Sequence, residues 1–313
     1  MITKKMIYAP IALFVFNRAD HTEETINALL KNEESAVSDL IIYSDAAKNI
    51  QQEPAVKAVR DYISKIKGFK KITIIEQENN LGLSTSIIKG VTSIVNKYGK
   101  IIVLEDDLIV GPYFLDFMNR SLAQYEHNDR VASIHGYIYP VTTQVPEVFF
   151  LKGADCWGWA TWKRAWDIFE PDGLKLIARL KKMNLQNEFD FDGTYSYYQM
   201  LLDQSNGLNQ SWAVRWYASA FLKDMLTLYP GRSQVQNIGL DNSGTHCSAT
   251  EIYNTVITTK RVDNIYAEIK VNKDAREAFK LFFKNLQTST SNITLMQKFK
   301  NLLRPAYKLI KNI

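Results

Sequence analysis

The chain has 313 residues, 46% of them hydrophobic and 23% charged, the proportions of a globular protein able to bury a substantial core. Its net charge of +5 is too mild to demand a nucleic-acid partner. Its two cysteines, Cys156 and Cys247, are too few and too far apart for a disulfide framework or a zinc site, so a reducing cytoplasm is the expected setting. The early lysines have no long apolar stretch behind them, so no secretory signal is expected, and no apolar run reaches membrane-span length.

Along the first half, strand and helix patterns alternate. An apolar run over 11–16 reads as a strand ending at Asn17-Arg18, and a helix follows over 20–30. Residues 40–43 form the next strand, which ends in Ser44-Asp45, and 54–66 have helical spacing. A third strand at 72–75 leads to Asn79-Asn80-Leu81-Gly82, and a helix over 84–98 places Ile87, Ile88, Val91, Ile94 and Val95 on one face. The run at 101–104 is a fourth strand, followed directly by Glu105-Asp106-Asp107. Strands separated by helix-length segments predict an α/β fold, a mostly parallel twisted sheet flanked by helices.

The second half is less regular. It shows a strand at 131–137, an aromatic-rich segment at 156–162, a helix over 214–222, a strand at 226–229 and a glycine-punctuated loop at 238–246. From 295 onward apolar and basic residues fall on opposite faces of a helix. Such a helix suits either an anionic membrane surface or docking on the domain, its lysines in water.

The acidic triplet is the most informative feature. Open α/β sheets bind ligands at the C-terminal ends of their strands, where these carboxylates fall. Adjacent like charges repel by about 1 kcal/mol per pair at 4 Å in water and about 4 kcal/mol in a protein-like dielectric. A divalent cation converts that repulsion into binding, and oxygen ligands suit Mn²⁺ or Mg²⁺, which share their coordination with substrate phosphates. The plain alternative is a solvated acidic turn. No Walker loop and no GxGxxG follows the first strand, which disfavours a kinase or a dinucleotide dehydrogenase.

The segment "PIALFVFNR" at 10–18 resembles the first strand of nucleotide-sugar glycosyltransferases of the GT-A fold. Asn80-Leu81-Gly82-Leu83 resembles the "N-x-G" segment of their family 2 members, and "VLEDDL" at 103–108 is similar to the metal motif of N-acetylglucosaminyltransferase I-type enzymes. "CWGWATWKRAW" at 156–166 resembles the acceptor-side Gly-Trp segment of bacterial family 2-like enzymes. The resemblance covers about residues 8 to 250. It implies a GT-A domain over 1–265, with a nucleotide-binding half at about 1–130 and an acceptor half at about 131–265; the composition beyond it reads as a basic helical tail over 266–313.

The resemblance also implies roles. Asp107 would ligate the metal, Asp106 would accept from the ribose, and Glu105 would sit near the donor sugar. Phe16, Asn17 and Arg18 would line the nucleotide site, Asp45 would contact base or ribose, and Asn80, Gly82 and Leu83 would border a uracil-type pocket. His246 would face the metal or the diphosphate. Trp157, Trp159 and Trp162 could stack on an acceptor sugar or pack in the core. The base that deprotonates the acceptor hydroxyl would be Asp155 or Asp241, with Asp203 behind them. The family pattern puts a base aspartate beside a tryptophan like Trp212, but Ser211-Trp212-Ala213-Val214-Arg215 contains no acid, which leaves base and stereochemistry open.

The expected activity is metal-dependent transfer of a sugar from a nucleotide-diphosphate sugar, UDP-linked by preference. The acceptor is a glycan or lipid-linked, in surface polysaccharide or lipopolysaccharide synthesis at the inner face of the cell membrane. Two competitors keep the sheet and change the chemistry. One is a sugar nucleotidyltransferase, which wants a glycine- and lysine-rich N-terminal signature that is missing. The other is a non-catalytic nucleotide-sugar or glycan-binding protein.

Overall fold

The computed structural model describes residues 7–241 and 250–288. Its first half is built from β1 (Ile11–Val15), α1 (Ala19–Leu29), β2 (Asp39–Ser44), α2 (Glu53–Ile63), β3 (Lys71–Glu76), α3 (Leu83–Tyr98) and β4 (Lys100–Glu105). β1 is buried at all five positions, as a strand covered on both faces must be. α3 turns Ile87, Val91, Ile94 and Val95 into the core and stops at Gly99, a left-handed C-cap.

The second half continues with β5 (Leu108–Val110), α4 (Phe114–Gln124), β6 (Val131–His135), β7 (Val148–Leu151), β8 (Trp159–Trp162) and α5 (Lys163–Trp166). It then runs through α6 (Gly173–Lys182), α7 (Gln186–Phe189), α8 (Tyr197–Ser205), α9 (Trp212–Phe221), β9 (Leu226–Pro230) and β10 (Val235–Asn237). A last helix, α10, spans 273–288.

One eight-stranded sheet has the order β3-β2-β1-β4-β8-β6-β9-β7. β3, β2, β1 and β4 are parallel neighbours, β8 is antiparallel to both β4 and β6, β9 is parallel to β6, and β7 is antiparallel to β9. The fold is the expected mixed α/β architecture, with a large, mostly parallel sheet between helices. The chain passes from β1 outward to β2 and β3, then returns to β4 on the other side of β1. That reversal opens a crevice beyond the C-terminal ends of β1 and β4. A separate two-stranded ribbon, β5 against β10, hangs from the end of β4.

The packed body extends past the boundary expected at 265. On α10, Ala275, Ala278, Phe279 and Phe283 are buried. Arg276 donates to both carboxylate oxygens of Asp192 at 2.6 and 2.7 Å, and Asn272 N donates to Phe150 O at 2.9 Å. The amphipathic segment from 295 onward lies outside the described residues. No described helix is long and apolar enough to cross a membrane.

Candidate active site

The crevice opens into a cavity of about 750 Å³. One part of its wall comes from the ends of β1 and β4 and from the loop entering α3: Phe16, Asn17, Arg18, Asn80, Gly82, Leu83 and Glu105-Asp106-Asp107. The structure therefore brings together residues expected at the nucleotide site, across more than 90 positions of sequence.

The acids are fixed by their strand. Glu105 ends β4, Asp106 and Asp107 make the turn into β5, and Thr25 Oγ1 on α1 donates to Asp106 O at 2.9 Å. Arg18 Nη2 donates to Asp106 Oδ1 and, at 2.8 Å, to Asp107 Oδ2. Burial alone would lower the guanidinium's pKa, but Asp106 and Asp107 outweigh it and hold Arg18 protonated. Burial raises the pKa of Asp106 against the pull of Arg18. Burial also raises Glu105, which the neighbouring Asp107 and Asp106 charges reinforce.

The β5–β10 ribbon delivers the next loop to this cluster. Ile238 N donates to Asp107 O at 2.9 Å. Gly239 then lies so close that a Cβ there would come within 2.1 Å of Asp107 Oδ2 and 2.8 Å of Arg18 Nη1. Only glycine fits this approach without displacing the ion pair.

A hard divalent cation suits Asp107 and Asp106, since such ions bind through one or two carboxylates and complete their shell with phosphate oxygens and water. Asp106 Oδ2 is buried without a hydrogen bond of good geometry. Among the described residues no group of three His, Cys, Asp or Glu side chains is arranged as a metal site. His246 lies outside the described residues. A cation here has a competitor, because Arg18 already bridges both carboxylates. Two positive charges on a metal ion 4 Å from a fixed guanidinium would be repelled by about 8 kcal/mol at an effective dielectric of about 20.

Asp45 has a different role from the one expected. Its Oδ1 accepts from Ala46 N and Leu81 N, each at 2.9 Å, and its Oδ2 accepts from Gly82 N at 2.9 Å and Asn80 Nδ2 at 3.1 Å. A carboxylate has about four lone-pair sites, and all four are used. Asp45 is a fastener for the 80–82 loop rather than a group free to take a base or ribose. Asn80 Nδ2 also donates to Ala46 O at 2.6 Å. Gly82, at φ +73°, turns the chain into α3, whose N-terminus has no side-chain cap and faces the cavity.

The other part of the cavity is an aromatic chamber. Tyr137, Tyr139, Trp157, Tyr195, Tyr197 and Tyr253 line it, with Phe279 and Phe283 of α10 closing one wall. Asp155 sits within it: Tyr139 Oη donates to Asp155 Oδ1 at 3.0 Å and Tyr229 Oη to Asp155 Oδ2 at 2.6 Å. Both hydroxyls are held protonated, since burial first and the Asp155 charge second raise their pKa values. His135 also reaches the chamber wall, and burial pushes its pKa down to about 4, so it is neutral at physiological pH.

Of the other candidates, Asp241 lies outside the chamber, its side chain 46% exposed and 3.3 Å from His21 Nε2. Asp203 accepts from Gln199 Nε2 at 2.8 Å along α8. Trp157 is half-buried at the chamber, its ring edge-on to Tyr137 at 4.7 Å. Trp159 is fully buried, packed against Trp212, Trp166 and Trp216 with centroids 5.4 to 6.1 Å apart. Trp162 is also buried, its Nε1 donating to Leu122 O at 3.1 Å. Trp159 and Trp162 therefore belong to the core and present no face to a sugar, because β8 is threaded between two strands.

Sequence reasoning missed Tyr139, Tyr229, Phe279, Phe283 and Gly239. One signal was available. His135, Tyr137 and Tyr139 recur at every second residue, which continues one face of β6 beyond its end.

No protein-family model matches the chain, and no curated protein sequence matches it. Solved structures resemble it in part. S. aureus TarS matches at 12% identity over 44% of this chain and 23% of that one, with a TM-score of 0.30. The mannosyltransferase PcManGT from Pyrobaculum calidifontis, solved with GDP-Man and Mn²⁺, matches at 11% identity over 42% of this chain and 36% of that one, with a TM-score of 0.29. A UDP-glucose pyrophosphorylase complexed with UDP-glucose matches at 14% identity over 71% and 90%, with a TM-score of 0.35. The chain thus spans 23% and 36% of the length of the first two. Scores this low carry no argument about chemistry, and the fold rests on the strand order.

Proposed function

We propose that the chain is a glycosyltransferase that moves a sugar from a nucleotide-diphosphate sugar to a hydroxyl of a glycan or lipid-linked acceptor. The observation that carries this reading is the continuity of one cavity. It joins the carboxylates and Arg18 at the sheet's switch point to an aromatic chamber holding a hydrogen-bonded aspartate. A nucleotide diphosphate suits the first part, bordered by Phe16, Asn17, Asn80 and Gly82. A sugar with one apolar face suits the second, where Trp157 and Tyr139 present ring surface and Asp155 supplies a polar anchor.

In this reading Asp155 takes the proton from the acceptor oxygen as that oxygen attacks the anomeric carbon. Tyr139 and Tyr229 hold its carboxylate in place, and the surrounding rings exclude water. Arg18 faces charge developing on the departing diphosphate. Asp107 and Asp106 would hold a divalent cation, which would add Lewis-acid stabilisation of the same leaving group. Transfer with inversion, a UDP-linked donor and a role in surface polysaccharide synthesis at the inner membrane face belong to the same proposal. Inversion and the UDP-linked donor rest on the motif resemblance, and the membrane face rests on the basic, apolar-striped sequence from 295 onward.

The test is release of nucleoside diphosphate from a panel of nucleotide sugars, with Mn²⁺ present and candidate acceptors supplied. Release abolished by Asp107→Ala and strongly reduced by Asp155→Asn supports transfer. Pyrophosphate-dependent formation of nucleoside triphosphate would replace it with sugar nucleotidyl transfer. Saturable binding without turnover would replace it with a binding protein.

A further inference from the structure

Arg18 is shared property at this site. Its Nη2 bonds Asp106 and Asp107 together, and it is the positive charge nearest both. The side chains of Asp106 and Asp107 are 6% and 14% exposed, so solvent screens the cluster poorly. Arg18 Nη1 is buried without a hydrogen-bond partner. On that side the backbone of Gly239 is packed against the ion pair. The guanidinium's other flank is the cavity, which Arg18 lines together with both carboxylates.

Arg18 holds one oxygen of each carboxylate, and a divalent cation taken up by these acids is repelled by the guanidinium beside it. The two cations exclude one another unless Arg18 has another anion to move to. A diphosphate lying in the cavity beside Asp107 supplies one, since guanidinium and phosphate pair well through parallel N–H donors.

We propose that Arg18 exchanges partners during donor binding. In the free chain it occupies the carboxylates and keeps a divalent cation out. When a nucleoside diphosphate arrives, its phosphate oxygens receive the guanidinium and the cation enters with the nucleotide. This rests on the nucleotide-sugar reading above. Metal and nucleotide are then linked, each raising the affinity of the other by the same factor. Arg18 meets the phosphates directly in the bound state, and its exchange couples the two ligands.

The experiment measures Mn²⁺ binding by electron paramagnetic resonance, without nucleotide and with saturating UDP or GDP, on the whole chain. The wild type is expected to bind Mn²⁺ at least about 10-fold more weakly alone than with nucleotide. Arg18→Gln is expected to tighten Mn²⁺ binding in the absence of nucleotide and to narrow that gap, while Asp107→Asn loses Mn²⁺ under both conditions. Wild-type binding of Mn²⁺ alone as tight as with nucleotide, or an Arg18→Gln affinity unchanged without nucleotide, overturns the exchange. If no nucleoside diphosphate binds to any variant, the nucleotide-sugar reading fails instead. The Mn²⁺-only comparison of wild type with Arg18→Gln still decides whether Arg18 guards the carboxylates.

Discussion

Replacing Asp45 with asparagine changes one atom of a buried side chain and tests its assignment as a loop fastener. The wild-type carboxylate accepts four hydrogen bonds, two at each oxygen. An asparagine has one acceptor oxygen, so one pair of donors must face an NH₂ group. Either Ala46 N and Leu81 N, or Gly82 N and Asn80 Nδ2, lose their acceptor. Reorienting the Asn80 amide would break its bond to Ala46 O. Hydrogen bonds to charged groups are worth about 1.5–3 kcal/mol each, so losing two costs about 3–6 kcal/mol. Urea unfolding followed by tryptophan fluorescence measures this as a fall in extrapolated unfolding free energy at unchanged slope. A loss below about 1 kcal/mol, the size of a typical surface change, would refute the reasoning and return Asp45 to the pool of ligand contacts.

Other predictions follow from the same contacts. Trp159→Ala should destabilise the protein by about 3–5 kcal/mol, as for a large core side chain. Trp157→Ala should cost little stability but weaken acceptor binding, and titration with a series of saccharides checks the contrast. Gly239→Val should weaken nucleotide binding by about 10-fold or more, because its side chain must overlap Asp107 and Arg18, while circular dichroism stays that of the wild type. Asp155→Asn should lower turnover by about 10²–10⁴-fold with folding intact, since Tyr139 and Tyr229 can still bond an amide. Arg276, with its hydrogen bonds first and its charge after, holds the Asp192 carboxyl below the usual carboxylate range. A depressed pKa gives stability that is present above the unfolded value of about 3.9 and lost as pH falls through the folded one. Proteolysis of α10 should therefore accelerate below about pH 4, and Arg276→Gln should flatten that dependence; the effect is modest because Asp192 is 38% exposed.

The first half was legible because its physics is local. β-branched runs such as Ile101-Ile102-Val103-Leu104 are strands whatever surrounds them, and a carboxylate triplet after such a run must lie at the strand's end. The 3.6-residue apolar spacing of α3 is equally self-contained. Asp45 was misread because its partners at 80–82 lie 35 to 37 residues away, and a sequence shows an acid but not what saturates it. Trp159 was misread for a related reason, and Trp162 was left open between the same two uses. Aromatic residues suit sugar platforms and buried strands equally, and only the insertion of β8 between β4 and β6 decides the matter. The α10 wall was hidden because Phe279 and Phe283 sit among charged neighbours, so the segment reads as an appendage until Tyr139 and Asp192 are found beside it.

The placement of β8 has a mechanical consequence. It is hydrogen-bonded to β4 on one edge and to β6 on the other, so one continuous sheet crosses from the side bearing the acids to the side bearing the chamber. The two sides cannot hinge like a pair of jaws without tearing that ladder. Any opening and closing of the cavity must fall to the connecting loops at the rim, above a rigid floor.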